Sequence, residues 1–263
     1  MTDSNPPDIA EATSAEGASK AGPAPLELGD SVAASELTED QALALLHRSD
    51  ATAAELALLG RNPSVIKSRK VLLGLATHPR TPRHIVIPLL RRLFTFDLMQ
   101  VALTPTVVAD VRRAAEEQLL HRLESLSLGE RISLGRRASG RVAATLLLDS
   151  EARVISAALD NSHLVEPLVV TALMKPIAPK TLFVLTSVHP KWSLRTDVQI
   201  ALLRNENLPL ERAVELAGNF SADFLREIVP ESRRDALIHS GSLSKAEDME
   251  PEDQKYRNQS SGE

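Results

Sequence analysis

The 263-residue chain contains no cysteine. Disulfides, thiolate metal sites and cysteine nucleophiles are therefore excluded. Aromatic residues make up only 3% of it, with a single Trp and a single Tyr, while 43% of the chain is hydrophobic. Any core must come from Leu, Ala, Val and Ile. Long apolar runs are missing too. The longest uncharged run near the middle, Leu98 to Ala109, has 12 residues, against about 20 for a membrane-spanning helix. The N-terminus lacks the basic and apolar regions of a secretory signal. Period-two alternation is scarce, which speaks against strands. No Gly-rich phosphate loop, G-x-S-x-G elbow or H-E-x-x-H pair is present. These absences lead us to expect a soluble, cytoplasmic, non-enzymatic protein with no cofactor, no metal and no membrane partner.

What is present is a rhythm. Asp149, Asn161, Lys175, His189, Asn205 and Asn219 are separated by 12, 14, 14, 16 and 14 residues. An apolar run follows most of them, as in residues 153–159, 167–173 and 198–203. Such a gap fits a helix of two to three turns and a short connection. Pro179 and Pro209 suit the first position of a helix, where a missing N–H costs nothing. Ser193 and Ser221 are candidate N-caps. One short helix cannot bury its apolar stripe alone, so neighbours must stack. Two helices give a unit of roughly 28–30 residues, and the even spacing favours a repeat array over an irregular bundle.

Upstream, Thr38 with Gln41, Thr52 with Glu55 and Ser127 with Glu130 read as capping boxes. The second helix is expected to stop at Gly60, and Asn62-Pro63 to start another through Val71 to Ala76. Thr81 reads as a cap with Pro82 as first helical residue, and Pro88 as a kink or stop. Thr104-Pro105 is expected to open the longest helix, over residues 106–123. In all, residues 35–240 are expected to form one helical repeat domain of a dozen or more helices. Residues 1–34 and 241–263 are polar and acidic and are expected to be disordered tails.

Two segments carry a family likeness. Residues 110–119, from Asp110-Val111-Arg112-Arg113 to Leu119, resemble the second helix of a HEAT repeat. Residues 149–161, with Asn205 to Ala217, resemble the leucine-rich repeat variant, another helical solenoid. The likeness covers about residues 62–229, with a unit shorter than the usual HEAT repeat. It implies an all-α, right-handed α-solenoid of short antiparallel helices that offers a binding surface and performs no reaction. The iron–sulfur cluster of some variant-repeat proteins has no ligands in a chain without cysteine.

Charge is distributed unevenly. Residues 1–60 hold 2 Lys/Arg against 11 Asp/Glu, whereas residues 61–141 hold 15 against 6. Three arginine pairs stand in that basic segment: Arg91-Arg92, Arg112-Arg113 and Arg136-Arg137. Presented on one face, they would form a cationic stripe for an acidic protein or for phosphates. The same arginines could equally be a solvated face, or be neutralised by the acidic N-terminal arm. Few aromatics are available for base stacking, which weighs against single-stranded nucleic acid. The expectation is a protein–protein scaffold, with nucleic-acid binding as the alternative.

Other residues invite chemistry and receive plainer readings. His78 and His189 each precede Pro at a repeat turn and are read as turn residues bonding nearby backbone. Glu116 and Glu117 sit four residues after Arg112 and Arg113 and are read as a salt-bridged face. Trp192 with Asp197 is similar to an aromatic–Asp pair that serves base excision in a few HEAT-like proteins, but the helices around it are not basic.

Overall fold

A computed structural model of the chain describes residues 37–234 and Leu237. The two expected tails lie outside the described residues. Within them the fold is all-helical, with no strand. The first six helices are α1 (Glu39–His47), α2 (Ala53–Arg61), α3 (Arg69–Thr77), α4 (Arg83–Leu90), α5 (Thr95–Leu103) and α6 (Ala109–Arg122). A 3₁₀ turn, Leu123–Ser125, precedes α7 (Leu128–Arg137), α8 (Gly140–Leu146), α9 (Ala152–Leu159) and α10 (Glu166–Leu173). Then come α11 (Lys180–Val188), α12 (Thr196–Leu203), α13 (Leu210–Ala217) and α14 (Ala222–Ile228).

The three capping boxes form as local chemistry demands. Thr38, Thr52 and Ser127 each accept from the backbone N–H three residues on, and Gln41, Glu55 and Glu130 return the bond. The Thr52 backbone N–H, and after it the Thr52 hydroxyl, hold the Glu55 carboxyl below its ordinary value of 4.5. A folded value below the unfolded one contributes stability above the unfolded value, and that contribution is lost as pH falls through the folded value. Thr52→Ala should therefore cost about 1 kcal/mol near neutral pH, and the gap to the parent should narrow below the ordinary glutamate range. Urea titrations at neutral and strongly acidic pH check this; a gap that widens in acid would contradict it.

Several expected boundaries are corrected by packing. Gly60 does not end α2. It lies inside the helix, where an added Cβ would come within 2.3 Å of Ile85 Cγ2 on α4. Asn62-Pro63 does not open a helix; turns run to Ser68, whose hydroxyl caps α3. Thr81 is not a cap, since its hydroxyl is enclosed without a hydrogen-bond partner and Pro82 is the N-cap of α4. Helix α4 continues through Pro88 to Leu90. The longest helix begins at Ala109, not 106. Ser221 caps α14 as expected, but Arg195 rather than Ser193 precedes α12.

All six rhythm residues fall just after a helix, where turn chemistry is needed. Asp149 and Asn161 each accept, through Oδ1, the backbone N–H two residues on, at 2.9 and 2.7 Å. Asn205 does the same for Asn207 at 2.9 Å. His78 and His189 repeat the geometry through Nδ1, accepting from Arg80 and Lys191 at 3.2 Å each. Histidine substitutes for Asn because Nδ1 and Oδ1 occupy the same place on the side chain.

Packing then follows a recurring order for most helices, with α5 packed chiefly on α6. Helix α1 packs on α3 and α3 on α5; α2 on α4, α4 on α6, α6 on α8, α8 on α10 and α10 on α12; α7 on α9 and α9 on α11. Buried residues from each of α1 to α14 join one apolar cluster. Side chains stitch neighbouring units together at separations of about one unit. Arg122 donates to the carbonyls of Leu93 and Arg91 at 2.7 and 2.8 Å. Asn161 Nδ2 donates to Gly135 and Ala138 at the end of α7, at 2.7 and 2.9 Å. Such bonds satisfy helix-end carbonyls that have no partner within their own helix.

Candidate functional site

The six arginines of the basic segment do not form one continuous stripe. Arg91 is the C-cap of α4 and Arg92 follows it, while Arg112 and Arg113 lie near the start of α6. Helices α4 and α6 run in the same direction. Arg83, the first residue of α4, bonds Asp110 near the start of α6 at 3.0 Å. Arg122, the last of α6, bonds the Arg91 and Leu93 carbonyls. The first two pairs therefore stand at opposite ends of the packed helices, about 15 Å apart along the axis at 1.5 Å per residue. Arg136 and Arg137 occupy the last turn of α7, which packs on α8 and α9.

Their bonding differs from that of Arg69 and Arg131. Arg69 donates two bonds to the buried Asp97, at 2.8 and 2.7 Å, and that carboxylate raises the guanidinium above its ordinary value. Arg131 bonds Asp149 at 2.7 Å. By contrast, among the described residues Arg91, Arg92, Arg113, Arg136 and Arg137 make no side-chain hydrogen bond or ion pair, and all five are exposed. Arg112 is half-buried, and its Nε is enclosed without a partner.

Glu116 and Glu117 are ion-paired, but not within their own helix. Their partner is Arg141 on α8, at 3.7 and 3.9 Å. The expected contacts to Arg112 and Arg113 do not form, because α8 presents a cation to the same face. Trp192 is 1% exposed and its indole N–H donates to the Leu159 carbonyl at 2.8 Å. Lys191 lies 3.9 Å from its ring centroid. It is a core residue and cannot pair with Asp197 on a surface. As the chain's one Trp, it should give blue-shifted emission that moves to the red when the α9–α12 region unfolds. Water-exposed emission from the native chain would contradict this burial.

Two shallow grooves mark the surface. One, of about 420 Å³, lies between α7, α9 and α11, with Arg136, Arg153, Ile132 and Leu185 around Ser156 and Ala157. The other, of about 510 Å³, lies between α10 and α12; Glu166, Asp197 and Arg204 give it mixed charge. Among the described residues there is no cluster of three His, Asp or Glu able to hold a metal, and no helix long and apolar enough to cross a membrane. His189 Nε2 faces Asp160 at 3.2 Å, and among the described residues no hydroxyl is bonded to either side chain. Comparison with known proteins gives no match: no family fits the chain, and neither a curated protein nor a solved structure is similar to it.

Proposed function

We propose that this chain is a right-handed α-solenoid of HEAT-like or leucine-rich-repeat-variant type, acting in the cytoplasm as a non-enzymatic protein–protein scaffold or adaptor. The observation that carries the reading is the packing of most helices from α1 to α10 on the second one after them, joined to an arginine-bearing groove across α7, α9 and α11. Repeat stacks work through surface complementarity over several units. Arg136 and Arg153 make no ion pair among the described residues, so an acidic protein would meet cations that need not first leave a partner. Nucleic-acid binding through Arg91, Arg92, Arg112, Arg113, Arg136 and Arg137 is the second reading, favoured by the five exposed unpaired arginines. The separation of the first two pairs weighs against it, since a phosphate track needs cations in a row.

The two readings part in one experiment. A photo-crosslinker at Ser156 should give a defined protein adduct in cells, lost in an Arg136→Gln, Arg153→Gln variant. Heparin and duplex DNA should not retain the chain at low salt. Strong retention that falls steeply with salt, with no protein adduct, would replace the scaffold by the nucleic-acid reading.

A further inference from the structure

The α7–α9–α11 groove combines shape and charge in a way that selects an occupant. Its floor is α9, where Ser156 and Ala157 keep the surface low. Ile132 on α7 and Leu185 on α11 give it apolar walls. Arg136 and Arg153 stand over it without a carboxylate among the described residues, although Arg131 on the same helix is paired. Apolar walls beside unpaired cations fit a segment with clustered carboxylates around an apolar side chain.

The chain holds such a segment. Residues 247–253 read Glu-Asp-Met-Glu-Pro-Glu-Asp, five carboxylates in seven residues around Met249. Residues 1–36 are also acidic, but hold no more than two carboxylates in any seven. Position favours the C-terminal segment as well. Arg233 bonds the Asn205 carbonyl just after α12, and Leu237 is fully buried. Helix α12 packs on α11 and α11 on α9. At 8–10 Å per step, α9 lies about 20 Å away. The 12 residues from Leu237 to Met249 can span up to about 40 Å.

We propose that residues 247–253 dock in cis on the α7–α9–α11 groove, their carboxylates on Arg136 and Arg153 and Met249 between Ile132 and Leu185. This rests on reading the groove as the docking face of the scaffold.

The absence of cysteine makes the test clean. In the full chain, Ser156→Cys with Met249→Cys introduces the only two thiols. Under mild oxidation their intramolecular disulfide should form at least ten-fold faster than in a chain carrying Thr171→Cys and Met249→Cys, which moves the first thiol to the α10–α12 groove. Adding Arg136→Gln and Arg153→Gln, or raising the salt, should bring the rate down to that of the comparison pair. Equal rates in the two pairs, or a rate indifferent to the arginines, would overturn the proposal. So would a faster disulfide from Glu11→Cys to Ser156→Cys, which would assign the groove to the N-terminal segment. These rates are read on the isolated chain, so their failure leaves the protein adduct from Ser156 to judge the scaffold reading separately.

Discussion

Replacing Asn161 with Ala is expected to destabilise the chain by roughly 2–5 kcal/mol, because two buried carbonyls and a half-buried backbone N–H lose their partner at once. Asn161 is 1% exposed. Its amide donates to the carbonyls of Gly135 and Ala138, and its Oδ1 accepts the His163 N–H at 2.7 Å. Each buried group left unpaired costs about 1–3 kcal/mol, and water entering the vacated volume offsets part of that. Asn161→Asp should be no better near neutral pH. It keeps the bond from His163 but turns an acceptor towards two carbonyls, and protonation in acid would restore one donor. Urea unfolding followed through Trp192 measures both variants. A loss under 1 kcal/mol for the Ala variant would mean that this bond set is not what joins the α7 end to the α9–α10 turn.

The second large effect is expected at Gly140, the first residue of α8. A Cβ built there would lie 2.3 Å from the His163 carbonyl oxygen and 3.2 Å from its carbon. Both are backbone atoms of the turn that Asn161 holds, so neither can swing aside like a side-chain end. Gly140→Ala should cost about 2–3 kcal/mol by overpacking. Gly129, in the first turn of α7, has nothing within 4 Å of its added Cβ. Gly129→Ala should instead stabilise by about 0.5–1 kcal/mol through helix propensity and unfolded-state entropy. The contrast separates steric from intrinsic effects, and equal outcomes at the two glycines would sink the steric account. Asn161 and Gly140 act on one turn, so the double variant should lose less than the two single losses added together.

That junction shows why some residues were legible and others were not. The capping boxes of Thr38, Thr52 and Ser127 could be read directly, since both partners lie within one helical turn. The rhythm residues Asp149, Asn161, His189 and Asn205 could be read as turn positions for the same reason: their bonds run to the N–H two residues on. The other two bonding partners of Asn161, the carbonyls of Ala138 and Gly135, lie 23 and 26 residues away. No local pattern distinguishes an Asn that only turns the chain from one that also closes the helix before it. Arg141 is the partner of Glu116 and Glu117 for a comparable reason. Spacing of four nominates Arg112 and Arg113, and only the packing of α8 on α6 brings in a third cation.

The arginine pairs repeat the lesson for the surface. Their positions in sequence suggest a stripe, but direction along each helix decides where a side chain emerges. Arg91 and Arg92 follow the end of α4, whereas Arg112 and Arg113 open α6. Arg153, which shares the groove with Arg136, has no neighbouring arginine and gave no signal as a pair.

By itself the sequence determined the class of secondary structure, the helix-and-turn rhythm and the helix starts capped by Thr38, Thr52, Ser127 and Ser221, because these depend on bonds and propensities within three or four residues. It also excluded thiol chemistry, because the chain has no cysteine. Tertiary structure alone decided that Gly60 lies inside α2, that Trp192 belongs to the core, which arginines are paired, and that a shallow groove runs across α7, α9 and α11. Those outcomes depend on close packing between helices roughly one unit apart, where a few ångströms decide between contact and clash.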